Sequence, residues 1–325
     1  MIESGILNIN KPAGMTSHDV IYRVRRATGI KRVGHTGTLD PQATGVLPVC
    51  IGSAARITEY LDMDFKTYRC TMILGKITDT QDIWGEVLEE RDTTGITEEA
   101  IMAAFGGFNG FIDQTPPMYS AVRVNGRRLY EYARDGQEVK VKSRRIYIKS
   151  LEIEKIDMES MEIVFLVECS KGTYIRTICQ DVGEALGCGA TMTALTRTAS
   201  GAFKIEDTIT LEELAEMNTE QIEAKMLTPD FPLIYFGKVL VDKATAKKFV
   251  DGFHLPLEVC NVVQEPEFRF SESILDIRDE YKHAYNIYED CPSGPVFLGV
   301  AFYNYKFKKL VADKVFFRGN ISDNI

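Results

Sequence analysis

The chain has 325 residues, of which 45% are apolar, and a net charge of −9. That length suits two domains, and that composition excludes a disordered chain and supports a real core. No run of apolar residues reaches the roughly 18 needed for a membrane helix, and the segment from Met1 to Gly5 lacks the basic-then-apolar pattern of a secretory leader.

In chain order, Gly5 to Asn10 reads as a short strand and Lys11 to Gly14 as a turn. Thr16 or Ser17 caps a helix whose apolar positions are Val20, Ile21, Val24 and Ala27, ending at Gly29. A Gly/Pro-punctuated loop follows from Gly34, and the apolar run Val46 to Ile51 reads as a buried strand. A helix is expected near Ala54 to Leu61. Strands are expected at Lys66 to Leu74 and Trp84 to Glu89, and a helix at Thr97 to Phe105. Gln114-Thr115-Pro116-Pro117 breaks the chain. Ser143 to Ile156 and Met161 to Cys169 look like paired strands, and Tyr174 to Leu186 like a helix with Ile175, Ile178, Val182, Ala185 and Leu186 on one face.

Strands and helices mix without regular alternation. This predicts an α+β fold with a mixed, mainly antiparallel central sheet and flanking helices. Thr228-Pro229-Asp230-Phe231-Pro232 marks a domain boundary, giving units at 1–232 and 233–325. The second is small and β-rich, with a strand at Val239 to Val241, a helix at Lys243 to Val250, and strands near Val296 to Tyr303 and Leu310 to Phe317. Its middle, Cys260 to Asp290, is acidic and carries no recognisable motif.

Seven cysteines without a Cys-x-x-Cys pair, and four scattered histidines (His18, His35, His254, His283), argue against a zinc site. Cys50, Cys70, Cys169 and Cys179 read as small core hydrophobes in a reducing, cytoplasmic setting. The acidic balance argues mildly against a nucleic-acid partner. Its distribution weakens that argument. Residues 121–150 hold nine bases and three acids, a local excess of 9 − 3 = +6. Arg23, Arg25, Arg26, Lys31 and Arg32 form a second basic cluster. Such patches can neutralise phosphates while the acids sit elsewhere.

The segment Gly34-His35-Thr36-Gly37-Thr38-Leu39-Asp40-Pro41-Gln42-Ala43-Thr44-Gly45-Val46-Leu47-Pro48 carries the chemistry. Three glycines and two prolines exclude a helix or an ordinary central strand, and Asp40 is its only acid. A loop braced by a buried strand exposes a reactive side chain while holding it still. The string resembles the catalytic loop of the TruB family of pseudouridine synthases, G-H-T-G-x-L-D-P-x-A-T-G, and meets every fixed position.

Three further segments resemble the same family in the same order. Lys66-Thr67-Tyr68 is similar to its K-x-Y element, which implies Tyr68 stacked under the target base and placed to take a proton from its carbon 5. Lys171-Gly172-Thr173-Tyr174-Ile175-Arg176 resembles its G-T-Y-I-R element, which implies Arg176 as partner of the catalytic Asp40. A cation near a helix start needs such a reason, and an arginine fork suits a bidentate carboxylate. Leu195 matches an apolar pocket residue. Thr115 to Arg123 with Gly126 to Arg134 resembles the RNA-gripping insertion of the family's tRNA branch, about residues 113–145, and makes Arg127 and Arg128 candidate phosphate contacts. His35 either fills space or touches a phosphate.

The resemblance implies the pseudouridine synthase fold with a PUA-like C-terminal domain. It implies a monomeric enzyme that isomerises the T-loop uridine of tRNA, position 55, and binds the T-arm. Isomerisation changes no oxidation state and loses no group, so no cofactor or metal is called for. A nucleophilic carboxylate can divide the step by a covalent adduct, with attack on base or ribose left open, and the target must be flipped out. A carboxylate-pair glycosidase would need two acids flanking one bond, and the loop offers one.

Overall fold

The computed structural model of the chain describes residues 4–267 and 278–316. Its centre is a nine-stranded sheet. Strand Gly5–Lys11 lies at one side, followed across the sheet by Thr44–Ile51, Ala190–Ser200, Lys66–Leu74, Glu162–Cys169, Arg144–Asp157 and Gly110–Gln114. Val33–His35 pairs with Thr44–Ile51, and Phe203–Lys204 with Ala190–Ser200. Every pairing is antiparallel except one, where Thr196 and Arg197 run parallel to Thr44 and Gly45. The expected mixed, mainly antiparallel sheet is therefore present.

Helices Ser17–Thr28, Glu98–Gly106 and Ile175–Ala185 pack apolar faces on this sheet. The first has a full capping box, Thr16 with Asp19, and ends on Gly29 at φ 72. The third buries Ile175, Ile178, Cys179 and Val182 against Cys70, Met72 and Phe165. The expected 54–61 helix is a run of 3₁₀ turns, Gly52–Met63. Ala54, Ile57 and Tyr60 recur at a spacing of three and are all buried, the spacing that eclipses side chains in a 3₁₀ helix.

The sequence reading missed the strand Ala190–Ser200, although it joins the two halves of the sheet. Its four threonines are separated by Met192, by Ala194 with Leu195, and by Arg197, and register shifts at 192–194 and 197–199 break the two-residue period. It also stopped short at Thr44 and Gly45, which belong to the following strand. Pro48 is tolerated inside that strand because it falls between the pairing to Thr196–Arg197 and the pairing to Val33–His35. Trp84 to Glu89 is not one strand. A turn precedes Val87–Glu90, which pairs with Lys76–Thr78.

The C-terminal part is a six-stranded sheet in the order Leu255–Pro256, Lys309–Val315, Val296–Asn304, Ala284–Glu289, Gly237–Val241, Asn261–Gln264. Helix Lys243–Val250 packs Ala246 and Phe249 into it. Ala284–Glu289, unread in the sequence, is its fully buried middle strand. Phe317, expected at the last strand's end, lies outside the described residues. Phe236, Tyr281, Val300 and Phe316 of this part share a cluster with Ile6, Cys50, Ile57 and Tyr60, so the two sheets meet through apolar contact.

Gly45 sits where the parallel pairing begins. Its φ is +99, and a Cβ there would fall 2.2 Å from the Arg197 carbonyl oxygen. Gly45→Ala should lower the free energy of unfolding by about 3 kcal/mol or more, read from urea denaturation. A loss within about 0.5 kcal/mol, the size of an ordinary surface substitution, would show that this close approach is not required.

Candidate active site

The loop that carries Asp40 is held by a bond within itself and by bonds to the turn and helix that precede it. Ala43 N donates to Asp40 O at 3.1 Å, Gly14 N to Pro41 O at 3.0 Å, and Leu39 N to Ser17 Oγ at 3.0 Å. Two buried cations complete the hold. Lys11 Nζ donates to the carbonyls of Pro12, Pro41 and Ala43 at 2.8, 2.9 and 2.7 Å. Arg197 donates from Nε to Val46 O at 2.7 Å and from Nη2 to Gly37 O at 3.2 Å. Each charge sits in a basket of carbonyl oxygens, which offsets its desolvation.

Above this base the Asp40 side chain is 41% exposed, and its Oδ2 lies 2.9 Å from Nε of Arg176, which is 5% exposed. The expected pair is therefore assembled from residues far apart in sequence. Its form differs from the expected bidentate fork. The terminal nitrogens of Arg176 are taken by backbone, Nη1 by Thr80 O at 2.9 Å and Nη2 by Tyr119 O at 3.1 Å. The contact to Asp40 is made by Nε. The carbonyls fix the guanidinium plane, so the single contact aims the carboxylate. Asp82, missed in the sequence, places Oδ2 3.8 Å from Nη1 of the same arginine.

Tyr68 stands on the central strand Lys66–Leu74, directly across from Arg197. Burial pushes its phenol up, the Arg197 charge and hydrogen bond pull the other way, and the Asp40 charge adds to the rise. Tyr68 thus shares one electrostatic environment with Asp40 and Arg197. Leu195, two residues before Arg197, is buried opposite Cys70. His35 is half-buried, and its Nδ1 accepts from Gly37 N at 3.2 Å. Burial first, then the Arg197 and His18 charges, lower its pKa. A neutral ring accepting at Nδ1 carries its proton on Nε2.

Arg127 and Arg128 lie apart from this group, on the insertion. A two-residue ribbon, Arg123–Val124 with Arg127–Arg128, leads into helix Leu129–Arg134. The Arg127 guanidinium is engaged within the insertion, by the Asp135 carboxylate, the Glu131 carbonyl and the Tyr132 ring. Arg128 is exposed and its Nη1 donates to Tyr130 Oη at 2.8 Å. The insertion is anchored to the site by a reciprocal pair, Gln114 Nε2 to Tyr174 O at 3.0 Å and Tyr174 N to Gln114 Oε1 at 2.7 Å.

Burial pushes the Lys11 ammonium down from 10.5 to about 8, opposed by the Asp40 charge and aided by Arg197. Between these two values the unfolded chain binds more protons than the folded one, so the contribution of Lys11 to stability rises with pH across that window. Below pH 8 both states are protonated and the contribution is flat. The stability difference between the native chain and Lys11→Met should therefore grow from pH 8 to 10.5, by at most about 3 kcal/mol. A difference that stays constant with pH in denaturation curves would contradict the buried, charged assignment.

Comparison with known proteins places this geometry in a family. Residues 25–175 match the family model described as TruB family pseudouridylate synthase (N terminal domain), and residues 176–231 match tRNA pseudouridylate synthase B C-terminal domain. The tRNA pseudouridine synthase B of Alkaliphilus oremlandii is 46% identical, over 82% of this chain and 91% of that one. That of Clostridium perfringens is 44% identical, over 91% and 94%. A solved H/ACA ribonucleoprotein bound to a substrate RNA containing 2'-deoxyuridine shares the fold, with a TM-score of 0.68 at 22% identity, covering 97% of this chain and 85% of that one. With the Asp40 loop and its buried arginine built as described, and with relatives this similar along most of the chain, the protein belongs to the TruB family of pseudouridylate synthases.

Proposed function

We propose that the chain isomerises a uridine of tRNA to pseudouridine, and that its target is the T-loop uridine at position 55. The observation that carries this reading is the exposed Asp40 carboxylate aimed by a buried, carbonyl-fixed Arg176. The names of the relatives supply the substrate class. The substrate nucleotide is flipped out of its loop to reach the carboxylate. Asp40 bonds to the nucleotide, the bond between N1 and C1′ breaks, the base turns, and C5 bonds to C1′. The proton then leaves C5, N1 takes one up, and the adduct releases Asp40, so atoms and electrons balance without a cofactor.

Each neighbouring group has a role in that sequence. Tyr68 lies under the base and takes the C5 proton as its phenolate, the form that the Arg197 charge and hydrogen bond favour against its buried setting. Leu195 supplies an apolar wall. His35 offers Nε2–H to a phosphate or base acceptor. The insertion, about 113–145, grips the T-arm, with Arg128 as a phosphate contact. The catalytic domain spans 1–232 and the PUA-like domain 233–325. The enzyme works as a cytoplasmic monomer.

Asp40→Asn keeps the shape of the loop and removes the nucleophile. Pseudouridine formed on an unmodified tRNA transcript, with no added cofactor, should fall at least about 1,000-fold, while tRNA affinity stays within a few-fold. Full activity of this variant would refute Asp40 as nucleophile. Arg128→Ala should weaken tRNA binding and reduce the log–log salt slope by about 1. Arg127→Ala should reduce it less, because Asp135 already matches that charge. An unchanged slope for Arg128→Ala would remove it from the RNA face.

A further inference from the structure

Residues 78–86 form a turn closed upon itself beside the site. Asp79 N donates to Glu86 O at 3.1 Å, Gly85 N to Asp82 O at 3.2 Å, and Thr78 Oγ1 to Asp82 O at 2.7 Å. Thr80 Oγ1 donates to Asp82 Oδ1 at 2.7 Å. A Cβ on Gly85 would fall 2.2 Å from Thr80 Oγ1, so only glycine lets the turn close this tightly. The turn is also pinned from outside. Ile83 N donates to Met192 O at 2.8 Å, Met192 N to Gln81 O at 3.1 Å, and Thr177 Oγ1 to Gln81 Oε1 at 2.9 Å. Its Thr80 carbonyl is one of the two that fix Arg176.

This rigid turn presents Trp84, the one tryptophan of the chain, 49% exposed, with Ile83 beside it at 37%. Closure of the turn uses backbone, threonine and aspartate groups, and none of these bonds involves the indole. The backbone N of Trp84 donates to Asp82 Oδ1 at 3.2 Å, and Asp82 Oδ2 is 3.8 Å from Arg176 Nη1. The Trp84 backbone is therefore anchored two contacts from the arginine that pairs with Asp40. A large aromatic left half in solvent at the rim of a reactive centre invites a partner. The turn's charged side chains are Asp79, Asp82 and Glu86, which repel phosphate oxygens. An uncharged base face is the part of an RNA that suits an indole in this setting, and stacking needs no particular base.

We infer that Trp84 is a stacking platform for a nucleobase of the substrate RNA next to the flipped-out uridine. This rests on the functional reading above and adds a residue that positions the RNA rather than one that does chemistry. A rigid turn lets the indole bind without ordering a loop, so little affinity is lost to entropy. The acidic rim confines the contact to the base and keeps the backbone on the basic insertion.

Intrinsic fluorescence tests this, because Trp84 is the sole indole emitter. Titration of the native chain with unmodified tRNA transcript should quench or shift its emission, saturating at the affinity found by filter binding. Trp84→Ala should raise KM for tRNA about 10-fold with a smaller change in kcat, and Trp84→Phe should recover most of the loss. Saturating tRNA binding with unchanged emission, or Trp84→Ala with native KM, would overturn the inference and leave the functional reading intact. Failure of the native chain to form pseudouridine in the transcript would overturn both.

Discussion

The contact between Nε of Arg176 and Oδ2 of Asp40, 2.9 Å long, is what the rest of the structure serves. An ion pair at a surface is weak and mobile, because water screens it and both side chains keep their rotamers. Here the arginine is buried and its two terminal nitrogens are spent on the carbonyls of Thr80 and Tyr119. These bonds fix the guanidinium plane, so the Nε–H that meets Asp40 has a set direction. The carboxylate can meet it and still face solvent, which a proposed nucleophile requires. A bidentate fork would have occupied both oxygens and closed that face.

The other half of the constraint lies beneath the loop. Lys11 and Arg197 are both buried and neither has a carboxylate within hydrogen-bonding distance among the described contacts. They are solvated by backbone carbonyls from Gly37, Pro41, Ala43 and Val46, the residues that flank Asp40. A buried cation without such acceptors is strongly destabilising, so the loop and the two cations stabilise each other. This arrangement also concentrates positive charge near one exposed carboxylate in a chain whose net charge is −9. With the basic excess of the insertion, it reconciles an acidic protein with a polyanionic substrate class.

The bend of the Asp40 loop and the order of the flanking elements were legible in the residue types, and the pairing of Arg176 with Asp40 in the resemblance to the TruB motifs. Glycines and prolines fix the bend, and an arginine at a helix start is disfavoured by the helix dipole, which is consistent with the partner that the resemblance implies. The supporting groups were hidden for a physical reason. Lys11, Arg197 and the outer nitrogens of Arg176 bind main-chain oxygens, and no residue type announces a carbonyl. Asp82 was hidden because the turn that holds it, between the strands expected at Lys66 to Leu74 and Trp84 to Glu89, has no signature of its own. Ala190–Ser200, with a buried Arg197 and two register shifts, lacked the regular polar–apolar alternation that marks a strand face. Ala284–Glu289 reads as a polar stretch, yet Asn286 is buried by donating to Leu233 O at 3.1 Å. In each case tertiary contact, and not local pattern, decided the outcome.

The most direct test of this account replaces the directional donor and keeps its charge. Arg176→Lys preserves the cation but has a single ammonium, unable to hold Thr80, Tyr119 and Asp40 together. Single-turnover pseudouridine formation on a tRNA transcript should slow by about 100-fold or more, with tRNA affinity changed less than about threefold. A lysine variant that turns over at the native rate would show that charge alone suffices, and that the aimed contact on which this account rests is not needed.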